Sequence, residues 1–250
     1  MRGRFARNAG SPDAGDQSAP RAGNAGSRYL FDAAGQPAAQ LGPAPTPDVI
    51  TRELPPMHTR PGASVRQGIA YLPTLPRCTL LVVGGGHVGE AVARLAAEVD
   101  FEVWVVDDRE RFVSAERFPF AHRRIAGDIG RTLQELVRDA VNPSFFCLVV
   151  TRGHNHDEEA LYHLARTPAR YVGMIGSRRK IKMIYEDLIA RGIPDDALAR
   201  VHAPLGLDIG SRTVPEIAVS IVAELIACRN LGSSQPVPRE AVRPATTKRV

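Results

Sequence analysis

Three glycines, Gly84, Gly86 and Gly89, stand in the order G-x-G-x-x-G within the run TLLVVGGGHVG. That spacing suits one kind of chemistry, the holding of a phosphate or pyrophosphate by backbone amides where a strand turns into a helix. The first glycine makes the tight turn, the second admits the ligand to the backbone, and the third lets helix pack on strand. Gly85 and His87 lie inside the same turn, His87 as a candidate hydrogen-bonding group. Asp107 and Asp108 come about twenty residues later, where a unit of this kind carries its ribose-binding carboxylate.

Two further polar clusters could act on the same ligand. The first, Arg152-Gly153-His154-Asn155-His156-Asp157, follows an apolar run. His154, His156 and Asp157 resemble a metal trio, since H-x-H ligands can converge on one ion. The sequence holds no further ligand cluster, and Asp157 has a competing place in a first helical turn, so the expectation is no metal. The second cluster is Ser177-Arg178-Arg179-Lys180. Cations near a helix N-terminus oppose the macrodipole by roughly 0.3–1 kcal/mol each when exposed, so Arg178 and Lys180 make sense beside an anion and equally as a solvated basic face. A glycine-bracketed loop, Gly206 to Gly210 with Asp208 inside it, completes the candidates.

These residues need elements to position them. Thr79 to Val83 is a continuous apolar or β-branched run, as expected of a parallel strand covered on both faces. Val88, Val92, Leu95, Ala96 and Val99 recur at helical spacing, and Glu102 to Val106 forms the second strand. A short strand over Arg124 to Ala126, a helix over Arg131 to Ala140 and a strand over Phe145 to Val150 follow. Asn155 and Glu158 form a capping box for the next helix. Tyr171 to Ile175 is a strand, and the helix after Ser177 runs to Arg191 with Gly192 as its stop. Val201 to Leu207 reads as a last strand, and Thr213 with Glu216 caps the last helix. The expected fold is α/β: a Rossmann-like, doubly wound, mostly parallel sheet with helices on both faces, plus a disordered or irregular N-terminal segment. The domain boundaries are 1–27 for a disordered tail, 28–76 for a remnant and proline-rich linker, 77–230 for the Rossmann-like domain and 231–250 for a second disordered tail.

The net charge of +5 resides in the two ends, each contributing +3, which leaves −1 between them and argues against a specific nucleic-acid face. The chain shows neither an eighteen-residue apolar run nor a secretion signal, so the expected location is the cytoplasm, without a membrane. Three scattered cysteines, Cys78, Cys147 and Cys228, form no C-x-x-C pair and fit a reducing compartment.

The segments LLVVGGGHVGEAVARLA, VWVVDDR, VTRGHNHDEEAL, YVGMIGSRRK and RVHAPLGLDIGSRTVPEIAVSIVAELIA resemble the C-terminal Rossmann domain of the XdhC/CoxF family of accessory proteins for xanthine and carbon monoxide dehydrogenases. The resemblance runs from about Leu75 to Asn230. It implies a non-enzymatic factor that binds molybdenum cofactor (molybdopterin), supports its sulfuration and delivers it to an apo-molybdoenzyme of the xanthine dehydrogenase type. A cysteine desulfurase and a second copy of the chain are candidate further partners. By the resemblance Gly84, Gly86, Gly89 and Asp107 form the nucleotide-type site, and Arg152, His154, Ser177, Arg178, Asp208 and Gly210 fall in the family's motif loops. The departure is N-terminal: only Arg28 to Leu41 resembles the end of the family's separate first domain, so the chain reads as a truncated or partial form. The glycine fingerprint and Asp107 alone leave two alternatives, an NAD(P)-dependent oxidoreductase and a non-catalytic nucleotide-sensing module.

Overall fold

The computed structural model describes residues 27–32, 34–42, 46, 48–57 and 60–232. The expected tails, 1–27 and 231–250, fall outside these except for Ser27, Leu231 and Gly232. The chain divides into two units between Leu75 and Pro76.

In the first unit, β1 (Arg28–Phe31) and β2 (Pro37–Leu41) pair antiparallel. Asp32 shapes their turn by accepting hydrogen bonds from the backbone N–H groups of Ala34 and Gln36 at 2.9 and 2.8 Å. The stretch read as extended linker holds more than the prolines suggest. It contains a short helix, α1 (Asp48–Arg52), and a hairpin of β3 (Ser64–Arg66) and β4 (Ile69–Tyr71). The hairpin closes on Gln67 and Gly68, both at positive φ, which matches the twist of tightly turned antiparallel strands.

The second unit is built on five strands, β5 (Cys78–Val83), β6 (Phe101–Asp107), β7 (Arg123–Ala126), β8 (Phe145–Val149) and β9 (Tyr171–Met174). They form one sheet in the order β7-β6-β5-β8-β9, every pair parallel. Among the described residues six α-helices accompany it: α2 (His87–Glu98), α3 (Ile129–Asp139), α4 (His154–Leu164), α5 (Arg178–Ala190), α6 (Asp195–Ala199) and α7 (Val214–Leu231). Every residue of β5 and β8 is buried, because both faces are covered. On one face Leu80, Val82, Phe146 and Leu148 pack with Val92 and Ala96 of α2 and Ile221 and Leu225 of α7. On the other, Leu81, Val83, Cys147 and Val149 pack with Leu133 of α3, Leu161 of α4 and Ile184 of α5. The fold is thus Rossmann-like α/β. Chain order runs outward in both directions from the adjacent strands β5 and β8, so their carboxyl ends flank the switch point where such sheets bind ligands.

Three local expectations change. Val201 to Leu207 is not a strand: His202 makes a single bridge to Gly173, and Pro204 has no N–H with which to extend a ladder. Helix α4 begins at His154 with Gly153 as its N-cap, and Asn155 lies inside the first turn rather than capping it. The Asp157 carboxylate, reaching back to the Thr151 N–H at 3.2 Å, ties the loop instead. Helix α3 starts earlier than the apolar pattern indicates, because the Asp128 side chain accepts the Arg131 N–H at 2.9 Å. The Thr213–Glu216 capping box of α7 is present as read.

Candidate functional site

The glycine turn leaves β5 and enters α2. Gly84 has φ +113, and a Cβ there would lie 2.5 Å from the Val150 carbonyl oxygen and 2.9 Å from Thr151 Cα, so the end of β8 closes on bare backbone. At Gly85 a Cβ would overlap the Phe112 carbonyl, and at Gly89 the Gly84 carbonyl. Gly86 differs: nothing lies within 4 Å of its Cβ position. It is also the N-cap of α2 and supplies no side-chain cap, and His87 beside it is exposed. The protein's own atoms therefore fill three of the four glycine positions and leave the fourth facing open space.

Asp107, at the end of β6, is buried and internally committed. One of its oxygens accepts the Gly85 N–H at 2.8 Å and Arg109 Nη2 at 3.0 Å, and the other accepts Arg109 Nε at 2.8 Å and the Arg109 N–H at 3.0 Å. Burial pushes its carboxyl up, but the Arg109 guanidinium and the backbone donors outweigh this and hold it below the ordinary value. The guanidinium in turn stacks 3.6 Å from the centre of the Phe112 ring. Asp107 thus fixes the glycine turn from beneath, and the outward acid of the pair is Asp108. Asp108 meets Arg152 Nη2 at 2.6 Å, with His156 Nε2 at 3.7 Å from the same oxygen. Because β5 lies between β6 and β8, this ion pair spans the strand end that carries the glycine turn.

The remaining sequence candidates separate. Lys180 is paired with the buried Asp157 carboxylate, which also accepts the Thr151 hydroxyl. Burial raises the Asp157 carboxyl despite both partners. Lys180 therefore answers a buried acid at the foot of α4, while Ser177 caps α5 by accepting the Lys180 N–H at 3.3 Å and Arg178 opens that helix exposed. The trio His154, His156 and Asp157 does not converge. His154 turns to Glu158 and Asp187, His156 to Asp108, and Asp157 to Lys180. Asp208 and Gly210 share an Asx turn, Gly210 N–H to Asp208 Oδ1 at 3.4 Å. That loop is anchored by Glu224 of α7, which accepts the Gly206 N–H at 2.5 Å and the Tyr171 hydroxyl at 2.7 Å, with His202 Nδ1 at 2.8 Å from its other oxygen. All three cysteines are buried, and burial pushes the Cys147 thiol up to about 12, so it offers no thiolate at neutral pH.

Sequence reading missed Glu224, Tyr171 and His202 as a group, although one carboxylate inside AVSIVAELIAC was a signal that something buried must answer it. Asp187 had no signal at all, because only the packing of α4 against α5 brings it to His154.

A parallel sheet of this order, with a glycine turn at its switch point and an open position in that turn, defines a Rossmann-type binding domain. More narrowly, the chain belongs to the XdhC family, its residues 80–225 matching the XdhC Rossmann domain. The uncharacterised protein YqeB of Escherichia coli is 34% identical over 155 residues, covering 62% of this chain and 28% of that protein. A Bacillus subtilis protein, named as a probable component of xanthine dehydrogenase, is 30% identical over 154 residues, covering 62% and 44%. A crystal structure titled as a xanthine dehydrogenase from Bacillus halodurans superposes with a TM-score of 0.55 at 28% identity, over 66% of this chain and 46% of that one. The chain thus spans less than half the length of the curated relatives it matches. None of the described helices is long and apolar enough to cross a membrane.

Proposed function

We propose that this chain is a maturation factor for a molybdoenzyme of the xanthine dehydrogenase type, binding molybdenum cofactor, supporting its sulfuration and delivering it to the apo-enzyme. The observation that carries the reading is the glycine turn, where Gly86 alone is left open at the switch point of an XdhC-family domain. Molybdopterin carries a phosphate, and Gly86 with the uncapped start of α2 and the Arg152 guanidinium fits such a group. The bound cofactor would supply the molybdenum centre that the target enzyme uses. This chain's residues would hold the phosphate, with Asp107 keeping Gly85 in place. The Bacillus subtilis and Bacillus halodurans relatives, both named for xanthine dehydrogenase, support that class of partner. A cysteine desulfurase as sulfur source, a second copy of the chain as partner and a cytoplasmic location accompany the reading.

A longer ligand, a pterin dinucleotide or NAD(P), would extend past the glycine turn toward the shallow, open depression lined by Glu110, Arg111, Val113, Ser114, Arg124 and Ala126. NAD(P) is the ligand of the oxidoreductase and sensor alternatives. The inward commitment of Asp107 weighs against the NAD(P) form, whose ribose contact would pass to Asp108. Mass spectrometry on small molecules released by denaturing the chain, purified from cells that make molybdenum cofactor, tests the reading. A molybdopterin species near one per chain, lost in Gly86→Asp, is expected. An adenine dinucleotide in its place would overturn it.

A further inference from the structure

Helix α4 begins with His154, and Glu158 stands one turn further on the same helix face, four residues on. Asp187 comes from α5, which packs against α4. His154 Nε2 lies 3.3 Å from Asp187 Oδ2 and 3.8 Å from Glu158 Oε2, and the three ligand atoms all lie within 4.8 Å of one another. An ion held tetrahedrally by bonds of about 2.0–2.1 Å separates its ligand atoms by about 3.3–3.4 Å. One edge of the triangle already has that length, and a second is a few tenths of an ångström longer.

The surroundings single out one oxygen of Glu158. Arg191 Nη1 donates to Glu158 Oε1 at 2.7 Å, and the same guanidinium donates to Glu159 at 3.1 Å and stacks 4.0 Å from the Tyr162 ring centre. Arg191 is thus held on three sides and fixes Glu158 by the oxygen that faces away from His154, leaving Oε2 for the cluster. This is how outer partners orient metal-binding carboxylates. Arg191 balances the charge of Glu158, so the negative charge left beside the imidazole is that of Asp187.

We propose that His154, Glu158 and Asp187 form a divalent-cation site of the Zn²⁺ class. One imidazole nitrogen and two carboxylate oxygens suit that class, whereas Ca²⁺ seeks six to eight oxygens and Mg²⁺ a rigid octahedron with most of its water retained. Three protein ligands leave a fourth position for water or an incoming ligand atom. His154 follows directly on the loop after β8, at the same sheet edge as the glycine turn. The site stands on these residues alone and does not depend on the identity of the ligand proposed for that turn.

The full chain, free of any histidine tag and stripped with a chelator, is titrated with Co²⁺ followed by visible absorption, then with Zn²⁺ in competition. Saturation at one ion per chain is expected, with the intense d–d bands of a four- or five-coordinate Co²⁺. Replacing a ligand should cost more than the roughly 10–100-fold in affinity that losing an outer partner costs. His154→Ala and Asp187→Asn should therefore each weaken binding by about a hundredfold or more. Asp187 is exposed, so its variant does not threaten the fold. His122→Ala, whose exposed histidine precedes β7 at the opposite end of the sheet order, should leave binding unchanged. Absence of saturable binding, or binding that survives His154→Ala, would overturn the proposal and leave a histidine paired with two acids.

Discussion

Glu224 is a carboxylate inside an apolar helix, and its three partners explain why it is tolerated there. Burial pushes its carboxyl up, yet hydrogen bonds with His202, Tyr171 and the Gly206 N–H hold it below the ordinary carboxylate value. Tyr171 also stacks on His202 with ring centres 4.3 Å apart, so the group is rigid as well as satisfied. Glu224→Leu strands the buried Tyr171 hydroxyl and His202 imidazole and the half-buried Gly206 N–H at once and should lower unfolding stability by about 3–5 kcal/mol in urea denaturation. A loss under about 1 kcal/mol would show that the network adds little. The pH dependence follows from the direction of the shift. A folded-state value below the unfolded one gives stability that is full above the unfolded pKa, about 4.3, and is lost as pH falls through the folded value. The stability gap between wild type and Glu224→Leu should therefore narrow when measured at pH 3 rather than pH 7. The sequence pattern assigned α7 its apolar stripe but could not show which atoms, from a strand fifty residues away, would answer its one buried acid. Lys180 carries the same lesson in reverse: its place at a helix start suggested an anion, and its partner is the buried Asp157 of the preceding helix.

At the scale of elements, the β5-α2-β6 unit was legible because each of its signals had a single local cause. A six-residue buried strand, a glycine turn and an apolar stripe at helical spacing need no distant partner to be recognised. The segment after Val201 lacked that property: an apolar run read as a strand, where Pro204 and a long-range hydrogen bond to Glu224 make a loop. Gly206 belongs to that loop, with φ +94 and a Cβ position only 2.6 Å from Ser220 Oγ, so any side chain there would be strained and would have to displace that hydroxyl. The contact of α2 with its strand rests on Gly89. An alanine there would press on the Gly84 carbonyl and stand 3.2 Å from Val82 Cγ1. Gly89→Ala should cost about 1–3 kcal/mol by overpacking, a fall in melting temperature of roughly 2–12 °C by scanning calorimetry. Gly86→Ala, open on all sides, should stay within about 1 kcal/mol of wild type, the scale of an N-cap change. Equal losses at both positions would mean that packing does not distinguish the two glycines.

At the scale of the molecule, the strand order brings together residues that the sequence holds 44 positions apart. Asp108 leaves β6, Arg152 leaves β8, and β5 with its glycine turn runs between them. The pair therefore joins the two sides of the crevice across the turn, and an anion bound at Gly86, as proposed, would find Arg152 already engaged by a carboxylate. An anion held there, as proposed, would compete with Asp108 for the guanidinium and would also feel the acid's charge. Half-exposed ion pairs contribute about 0–1 kcal/mol, so releasing Arg152 should change affinity by no more than about fivefold, but with a definite sign. Asp108→Asn should bind inorganic pyrophosphate about two- to fivefold more tightly than wild type in isothermal titration, while Arg152→Gln binds more weakly and with a shallower salt dependence. Weaker binding by Asp108→Asn would mean that the acid helps to form the anion site, and that Arg152 needs it for position more than it loses to it in charge.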